Sequence, residues 1–200
     1  MLELSLTRFI DFTLKSGTPK ITSLRQTKKQ SLEEYSIASD YYKQIREAIV
    51  KHHKNSKPYS DVEAFAKSIT NKSKQENYPL LAQGYKKFLG KKQIKWFKPP
   101  QQDWSANGVS VSINPELGLE FNGARHVIKM YFKADPFRKQ EVKAILSLMD
   151  AVLQTPKKTF TMGVLDVRNG KLHTDESPDP TLLALMNGET AAIAAMWPSL

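Results

Sequence analysis

Apolar residues in the first hundred positions recur at intervals of three and four, which is the spacing of one face of an α-helix. Residues 2–14 follow this spacing, and Ser16-Gly17-Thr18-Pro19 predicts the end of that helix. Residues 20–34 are polar and basic, so they predict a loop or an irregular arm. Three further helices are predicted in this half of the chain. One begins at Ser39-Asp40, the next begins at Ser60, where Glu63 completes a capping box, and the last covers residues 80–89.

The pattern changes to strict alternation after Pro99-Pro100, and this dipeptide predicts a boundary between two regions. Val109, Val111 and Ile113 alternate with polar residues, and this predicts a half-buried strand. A helix is predicted to begin at Asp135-Pro136, and a C-terminal helix is predicted to begin near Asp179-Pro180 and to kink at Gly188.

Two Asn-Gly dipeptides lie between alternating runs and predict β-hairpins, because both central residues of a type I′ turn need a positive φ. The turn at Asn122-Gly123 places Glu120 opposite Arg125. A two-residue turn at Asn169-Gly170 would place His173 opposite Asp166. One face of the first hairpin is apolar and includes His126, and the other is predicted to be a cationic stripe. The residues of that second face are Glu120, Arg125, Val127, Lys129, Tyr131 and Lys133.

The predicted fold class is therefore α+β. A helical N-terminal region packs on an antiparallel or mixed sheet that bears two Asn-Gly hairpins, with a helix between them and another at the C-terminus. Residues 1–98 form a basic helical region and residues 99–200 a sheet region, and the two are expected to form one compact unit. A chain of 200 residues buries roughly 70% of its unfolded surface, so it needs neither a metal nor a disulfide for stability.

The formal charge of +10 is unevenly distributed along the chain. Residues 1–100 hold 20 Lys and Arg against 9 Asp and Glu, whereas residues 101–200 hold 10 against 11. A positive region of this kind attracts polyanions at long range. The alternative interpretation is a well-solvated lysine-rich surface that binds nothing.

The absence of certain residues and motifs argues against several classes of function. The chain has no cysteine, which removes disulfides, thiolate metal sites and cysteine nucleophiles. It also lacks the GxGxxG, GxxxxGK, HExxH and GxSxG motifs. His52 and His53 are adjacent on a predicted helix and point about 100° apart, so they do not share a metal. No cofactor, no metal and no membrane association are predicted, and the expected location is the cytoplasm.

The leading hypothesis is a non-catalytic protein that binds nucleic acid through lysines and aromatic rings. Lysine supplies salt-dependent affinity for phosphates, and aromatic faces stack on bases. The candidate binding residues are Lys86, Lys87, Lys91, Lys92, Lys95, Trp96 and Lys98, together with Arg125, Lys129, Tyr131 and Lys133 of the first hairpin. Neutralising Lys91, Lys92 and Lys95 should weaken such binding.

A second hypothesis is a magnesium-dependent nuclease. From residue 80 the predicted order is helix, strand, strand, strand, helix, strand, which resembles the core of PD-(D/E)XK nucleases. That resemblance implies strand carboxylates that hold magnesium beside a lysine. Lys129 would be that lysine, but Val127 stands where the motif needs an acid. Displaced ligands would then come from Glu116, Glu120 or Asp166, with two carboxylates beside Lys129.

A third hypothesis is a protein-interaction module that docks an acidic protein or forms a homodimer. The apolar C-terminal segment around Met186, Ile193, Met196 and Trp197 would supply the homodimer contact, although the same residues suit core packing.

Overall fold

The computed structural model describes residues 1–32, 40–135, 138–155, 159–174 and 179–200, and it confirms a mixed fold of helices and strands. The strands are β1 (Leu2–Ser5), β2 (Lys95–Phe97), β3 (Gln102–Ala106), β4 (Val109–Ile113), β5 (Leu117–Phe121), β6 (Ala124–Tyr131), β7 (Thr161–Asp166) and β8 (Lys171–His173). The helices are α1 (Leu6–Thr13), α2 (Gly17–Leu32), α3 (Lys43–Lys54), α4 (Ser60–Ser68), α5 (Lys72–Leu89), α6 (Lys139–Leu153) and α7 (Pro180–Met196), followed by a 3-10 turn at Trp197–Ser199.

The strands form two mixed sheets. The larger has the order β2-β5-β6-β7-β8, in which only β6 and β7 are parallel, and α6 connects these two strands. The smaller has the order β1-β4-β3, with β1 parallel to β4. Strands β1 and β2 belong to the first 98 residues and pair with strands of the remaining chain, so both predicted regions contribute to each sheet.

Helices cover both faces of the larger sheet. Ile128 packs with α3, α4 and α5 on one face, while Val127 packs with α1, α6, α7 and the smaller sheet on the other. Both side chains are fully buried. His126 is also buried, as predicted, and stacks on Phe121 with ring centroids 3.9 Å apart. The predicted cationic stripe is therefore interrupted, because the core covers Val127 at its centre.

The first hairpin has the predicted geometry. Asn122 and Gly123 have φ values of 51° and 75°, and Glu120 lies opposite Arg125. No ion pair joins these two side chains in the described part of the chain. A third Asn-Gly turn, at Asn107-Gly108, connects β3 to β4 and was not predicted, although its φ values of 49° and 79° are of the same type.

The predicted pairing of the second hairpin is wrong. His173 lies opposite Val164, and Asp166 lies opposite Lys171, so the connecting loop covers residues 167–170. The Asp166 carboxylate accepts hydrogen bonds from the backbone and side-chain nitrogens of Asn169, at 3.1 and 2.7 Å. These bonds organise a four-residue loop, in which Gly170 alone has a positive φ. The sheet register therefore does not place His173 opposite Asp166.

The N-terminal predictions also need correction. Residues 2–5 form strand β1 before α1, because they pair with β4. Residues 17–32 form α2, so the segment 20–34, expected to be a loop or irregular arm, is helical as far as residue 32, and residues 33–34 lie outside the described ranges. Lys28 of α2 donates hydrogen bonds to the carbonyl oxygens of Trp197 and Leu200, both at 2.9 Å. Long-range contacts of this kind hold a polar helix that hydrophobic spacing does not reveal.

The remaining helix boundaries differ in detail. Helix α5 begins at Lys72, earlier than predicted, because Asn71 caps it and Pro79 is accommodated within it. Helix α3 begins at Lys43, since Asp40 bonds to Arg46 instead of capping the helix, and Ser39 lies outside the described residues. Pro136, where the sixth helix was expected to begin, also lies outside them. Helix α7 begins at Pro180 as predicted, and it continues through Gly188.

Candidate nucleic-acid interface

An open cleft of about 1000 Å³ lies between α3, the linker at residues 98–101, the start of β5 and the end of β6. We call this feature the cleft. Its charged lining is mainly positive. The cations are Arg46, Lys51, Lys54, Lys98, Lys129 and Lys133, and the carboxylates are Asp40, Glu47 and Glu116. Because cations outnumber carboxylates six to three, the cleft favours an anionic ligand.

An ion pair between Glu116 and Lys129 lies at the bottom of the cleft. The Glu116 Oε1 and Lys129 Nζ atoms are 2.6 Å apart, and the two side chains are only 13% and 12% exposed. Glu116 Oε2 accepts a hydrogen bond from the backbone nitrogen of Met130, at 2.8 Å. The turn at Asn114-Pro115 brings Glu116 to the edge of β5, beside β6. The pair is therefore held by backbone geometry on both sides.

Arg46 extends this charged network from α3. Its guanidinium bonds to the Asp40 carboxylate, with 2.5 Å between Nη2 and Oδ2. Burial alone would lower the pKa of Arg46, but its hydrogen bond with Asp40 and the charges of Asp40 and Glu116 raise that pKa overall. Arg46 thus lies in the field of both carboxylates and stays charged.

The rim of the cleft offers cations that are not neutralised. Lys51 and Lys54 occupy the last turn of α3, and Lys98 begins the linker after β2. All three are exposed, and within the described residues none of their ammonium groups makes a hydrogen bond or an ion pair. The positive charges of Lys51 and Lys54 complement the dipole of α3, but that interaction leaves their N–H donors available.

Aromatic side chains share the cleft with these charges. Trp96, Tyr42 and Tyr131 all line it. Tyr42 stacks on Phe132, with ring centroids 5.4 Å apart, and the Tyr131 hydroxyl donates to the carbonyl oxygen of Asp135 at 3.1 Å. Burial, followed by nearby carboxylates, raises the pKa of Tyr131 to about 12, so its hydroxyl stays neutral.

The structure divides the eleven sequence-predicted binding residues into two groups. Five of them line the cleft, namely Trp96, Lys98, Lys129, Tyr131 and Lys133. The other six lie outside it. They are Lys86, Lys87, Lys91, Lys92, Lys95 and Arg125.

Two lysines of the outer group are already engaged. Lys86 forms an ion pair with Glu63 at 2.9 Å. The Lys92 ammonium donates to the carbonyl oxygen of Phe88 and lies 4.7 Å from the centre of its ring. Lys87, Lys91 and Lys95 are exposed. Within the lysine cluster of residues 86–98, Lys86 and Lys92 therefore have partners inside the chain, whereas Lys98 lines the cleft.

Sequence reasoning missed Arg46, Lys51 and Lys54 as site residues. The sequence signal that could have found Lys51 and Lys54 is the run of cations in the last turn of α3. Such a run is also expected simply because cations there stabilise the helix dipole. Only the fold shows that this helix end faces Lys98 and Lys129 across a cleft.

The carboxylates proposed as displaced magnesium ligands do not converge. Glu116 lies beside Lys129, as that hypothesis needs. Glu120 is four residues further along the strand, roughly 13 Å away at about 3.3 Å per residue. Asp166 is bonded to Asn169. No group of three or more histidine or carboxylate side chains in the described ranges is arranged to hold a metal ion.

His52 and His53 have separate structural partners. His52 Nδ1 bonds to the carbonyl oxygen of Lys57 at 2.5 Å, and His53 Nε2 bonds to the Tyr85 hydroxyl at 2.6 Å. Burial, with a smaller contribution from His52, lowers the pKa of His53 to about 4. Tyr85 is fully buried, so His53 serves to satisfy its hydroxyl.

The lowered pKa of His53 predicts a pH-dependent stability. Between about pH 6.5 and pH 4 the unfolded chain binds a proton that the folded chain does not, so the free energy of unfolding falls as the pH falls. We expect this group to account for about 3 kcal/mol across that window. Urea denaturation of the wild type and of His53→Gln at several pH values measures it. His126 and His173 titrate in both proteins and cancel. Identical pH dependence in the two proteins would contradict the assignment.

No protein-family model matches the chain, and no curated protein matches it in sequence. None of the helices among the described residues combines the length and the apolar character that a bilayer crossing requires. Met186 and Ile193, considered for a homodimer contact, are fully buried within the chain, and Met196 and Trp197 pack partly against the same core.

Proposed function

We propose that this protein binds nucleic acid in the cleft, through contacts of its lysines with backbone phosphates. The observation that supports the proposal most strongly is the set of exposed, unneutralised ammonium groups of Lys51, Lys54 and Lys98 around one concave surface. Phosphate contacts of this kind supply most of the affinity in sequence-independent binding. The cytoplasm, where nucleic acids are abundant, is the expected location.

The aromatic lining favours nucleic acid over an acidic protein. Trp96, Tyr42 and Tyr131 lie among the cations of the cleft. Stacking of a base on an aromatic ring contributes about 1–3 kcal/mol and tolerates any base. The expected ligand is therefore bound with little sequence preference, since lysine reads few base edges.

A charge-neutralised variant of the cleft tests the proposal. We expect the triple variant Lys51→Gln, Lys54→Gln, Lys98→Gln to bind a fluorescent single-stranded DNA of about 20 nucleotides more than about tenfold more weakly than the wild type. The slope of log affinity against log salt concentration should become shallower by about 2, since each lost phosphate contact in a single strand accounts for about 0.7. Fluorescence anisotropy across a salt series measures both quantities.

The matched control is the triple variant Lys87→Gln, Lys91→Gln, Lys95→Gln, which changes the charge by the same amount outside the cleft. All three lysines belong to the cluster that the sequence favours, so the control also tests that hypothesis. We expect its affinity for the DNA to stay within about twofold of that of the wild type, and the lower net charge of the variant accounts for a loss of that size. Equal losses in both triples, or a loss in the control alone, would contradict binding in the cleft.

A magnesium-dependent nuclease is the second candidate, and the ion pair of Glu116 with Lys129 is the contact that favours it. Of the three strands in the predicted order, β5 and β6 lie in the larger sheet, whereas β4 belongs to the smaller sheet and β2 occupies the edge position beside β5 instead. A single carboxylate and a lysine at the bottom of a cationic cleft suit one magnesium ion that keeps most of its waters. Magnesium-dependent shortening of the same labelled DNA, abolished by Glu116→Gln, would support this candidate. If the DNA stays intact in the wild-type reaction with magnesium, the nuclease candidate is contradicted and the proposal of binding without catalysis is unaffected.

A further inference from the structure

A second cavity, of about 500 Å³, adjoins the cleft. Lys98, Pro99 and Gln101 line both spaces, so the linker at residues 98–101 forms a shared wall. Arg125 and Phe160 also line the second cavity. A ligand that follows the linker can therefore extend from the cleft into the second cavity.

Arg125 lines the second cavity and packs against two aromatic rings. Its Cζ atom lies 4.1 Å from the ring centre of Phe97 and 5.3 Å from that of Phe160. These two rings stack on each other, with centroids 5.8 Å apart and planes 14° apart. The Arg125 side chain is exposed. Cation–π contacts thus orient the guanidinium from the protein side.

The donors of this guanidinium are not used within the described part of the chain. Glu120 lies opposite Arg125 in the sheet, yet no ion pair joins them there, and no hydrogen bond from the Arg125 side chain is formed to another described residue. A guanidinium carries five N–H donors and a flat face. It can bind a phosphate with its edge or stack a base on its plane, as single-stranded nucleic acids require.

The spacing along β6 sets the length of ligand that can contact both spaces, and such a ligand would follow the linker because the core covers Val127 between Arg125 and Lys129. Arg125 and Lys129 lie on the same face of this strand, four residues apart, which corresponds to roughly 13 Å. About four nucleotides span that distance at the 3.4 Å rise of a stacked strand. We propose that the cleft and the second cavity form one groove for a single-stranded nucleic acid, and that Arg125 binds the nucleotides that extend beyond the cleft. This inference rests on the proposed function.

The test combines the length of the DNA with substitution of Arg125. Binding of the wild type and of Arg125→Gln is measured by fluorescence anisotropy with single-stranded DNAs of about 2 nucleotides, which are too short to span the distance from Lys129 to Arg125, and of about 16 nucleotides. We expect the substitution to weaken binding of the longer DNA by about tenfold and that of the shorter DNA by less than about twofold, because only the longer DNA reaches the second cavity. The Arg125→Lys variant, which keeps the charge, should recover only part of the loss, since the flat face is missing.

Arg25→Gln is the matched control, because Arg25 is an exposed arginine of α2 outside both cavities. It should leave the affinity for both DNAs within about twofold of the wild type. An equal effect of Arg125→Gln on both lengths, or no effect on either while the wild type still binds, would overturn the inference and leave the proposed function standing. Failure of the wild type to bind either DNA would overturn both. Thermal denaturation of each variant confirms that the fold is intact.

Discussion

Substitution of Glu116 by alanine should lower the free energy of unfolding by about 3 kcal/mol. The change leaves the Lys129 ammonium in a setting where only 12% of its side chain is exposed, with no carboxylate beside it. It also removes the acceptor of the Met130 backbone N–H. An uncompensated charge and an unpaired donor in a largely buried position are both costly. Urea denaturation at neutral pH measures the effect.

A double-mutant cycle separates the ion pair from simple packing. Lys129→Met alone leaves the Glu116 carboxylate unpaired and should also destabilise the fold. The double variant Glu116→Ala, Lys129→Met should lose less than the sum of the two single losses, with a coupling of about 1–3 kcal/mol. Glu116→Gln keeps an acceptor for Met130 and should fall between the wild type and Glu116→Ala. Additive losses would show that water, rather than Lys129, satisfies Glu116 at the bottom of the cleft.

Features that depend on neighbouring residues were predictable from the sequence. The turn at Asn122-Gly123 follows from the need for two positive φ values, and the pairing of Glu120 with Arg125 follows from that turn. Strand β4 and helix α7 likewise follow from alternation and from a Pro at the start of a helix. In each case the chemistry that selects the structure lies within a few residues.

Features that depend on distant residues were not predictable. The Asp166 carboxylate lengthens the second hairpin loop by bonding to Asn169, and the same Asn-Gly dipeptide therefore adopts a different loop. Helix α2 has few apolar residues, and its bonds from Lys28 reach the C-terminus of the chain. Residues 2–5 have a spacing typical of a helix, but pairing with β4 makes them a strand. Local propensity is a weak guide wherever tertiary contacts decide the outcome.

The candidate site shows the same division. Lys98, Lys129 and Trp96 were predicted as binding residues from basic and aromatic patterns, and the fold brings them into the cleft. Arg46 and the end of α3 join them only because α3 packs over the face of the sheet that carries Ile128. A sequence pattern identifies residue types suited to a ligand, whereas the concave surface that collects them depends on how the layers pack.

Alanine at Gly84 should have the other large effect on stability. Gly84 lies on α5, where the helix backbone packs directly against the loop between β7 and β8. A Cβ atom at this position would overlap the backbone carbonyl oxygens of Val167 and Arg168. Because both obstacles are main-chain atoms of a loop held by Asn169 and Asp166, they cannot move aside as a side chain can. We expect a loss of about 3 kcal/mol, even though alanine favours a helix over glycine by about 1 kcal/mol.

Gly188→Ala is the matched control for this prediction. Gly188 also lies within a helix, α7, but a Cβ there would meet nothing within 4 Å. The control should therefore gain up to about 1 kcal/mol from helix propensity alone. The two substitutions are chemically identical, so the opposite signs of their effects in urea or thermal denaturation isolate the contact of α5 with the loop. A Gly84→Ala variant as stable as the control would mean that this helix does not lie against the loop, and the packing that holds α5 on the larger sheet would need another explanation.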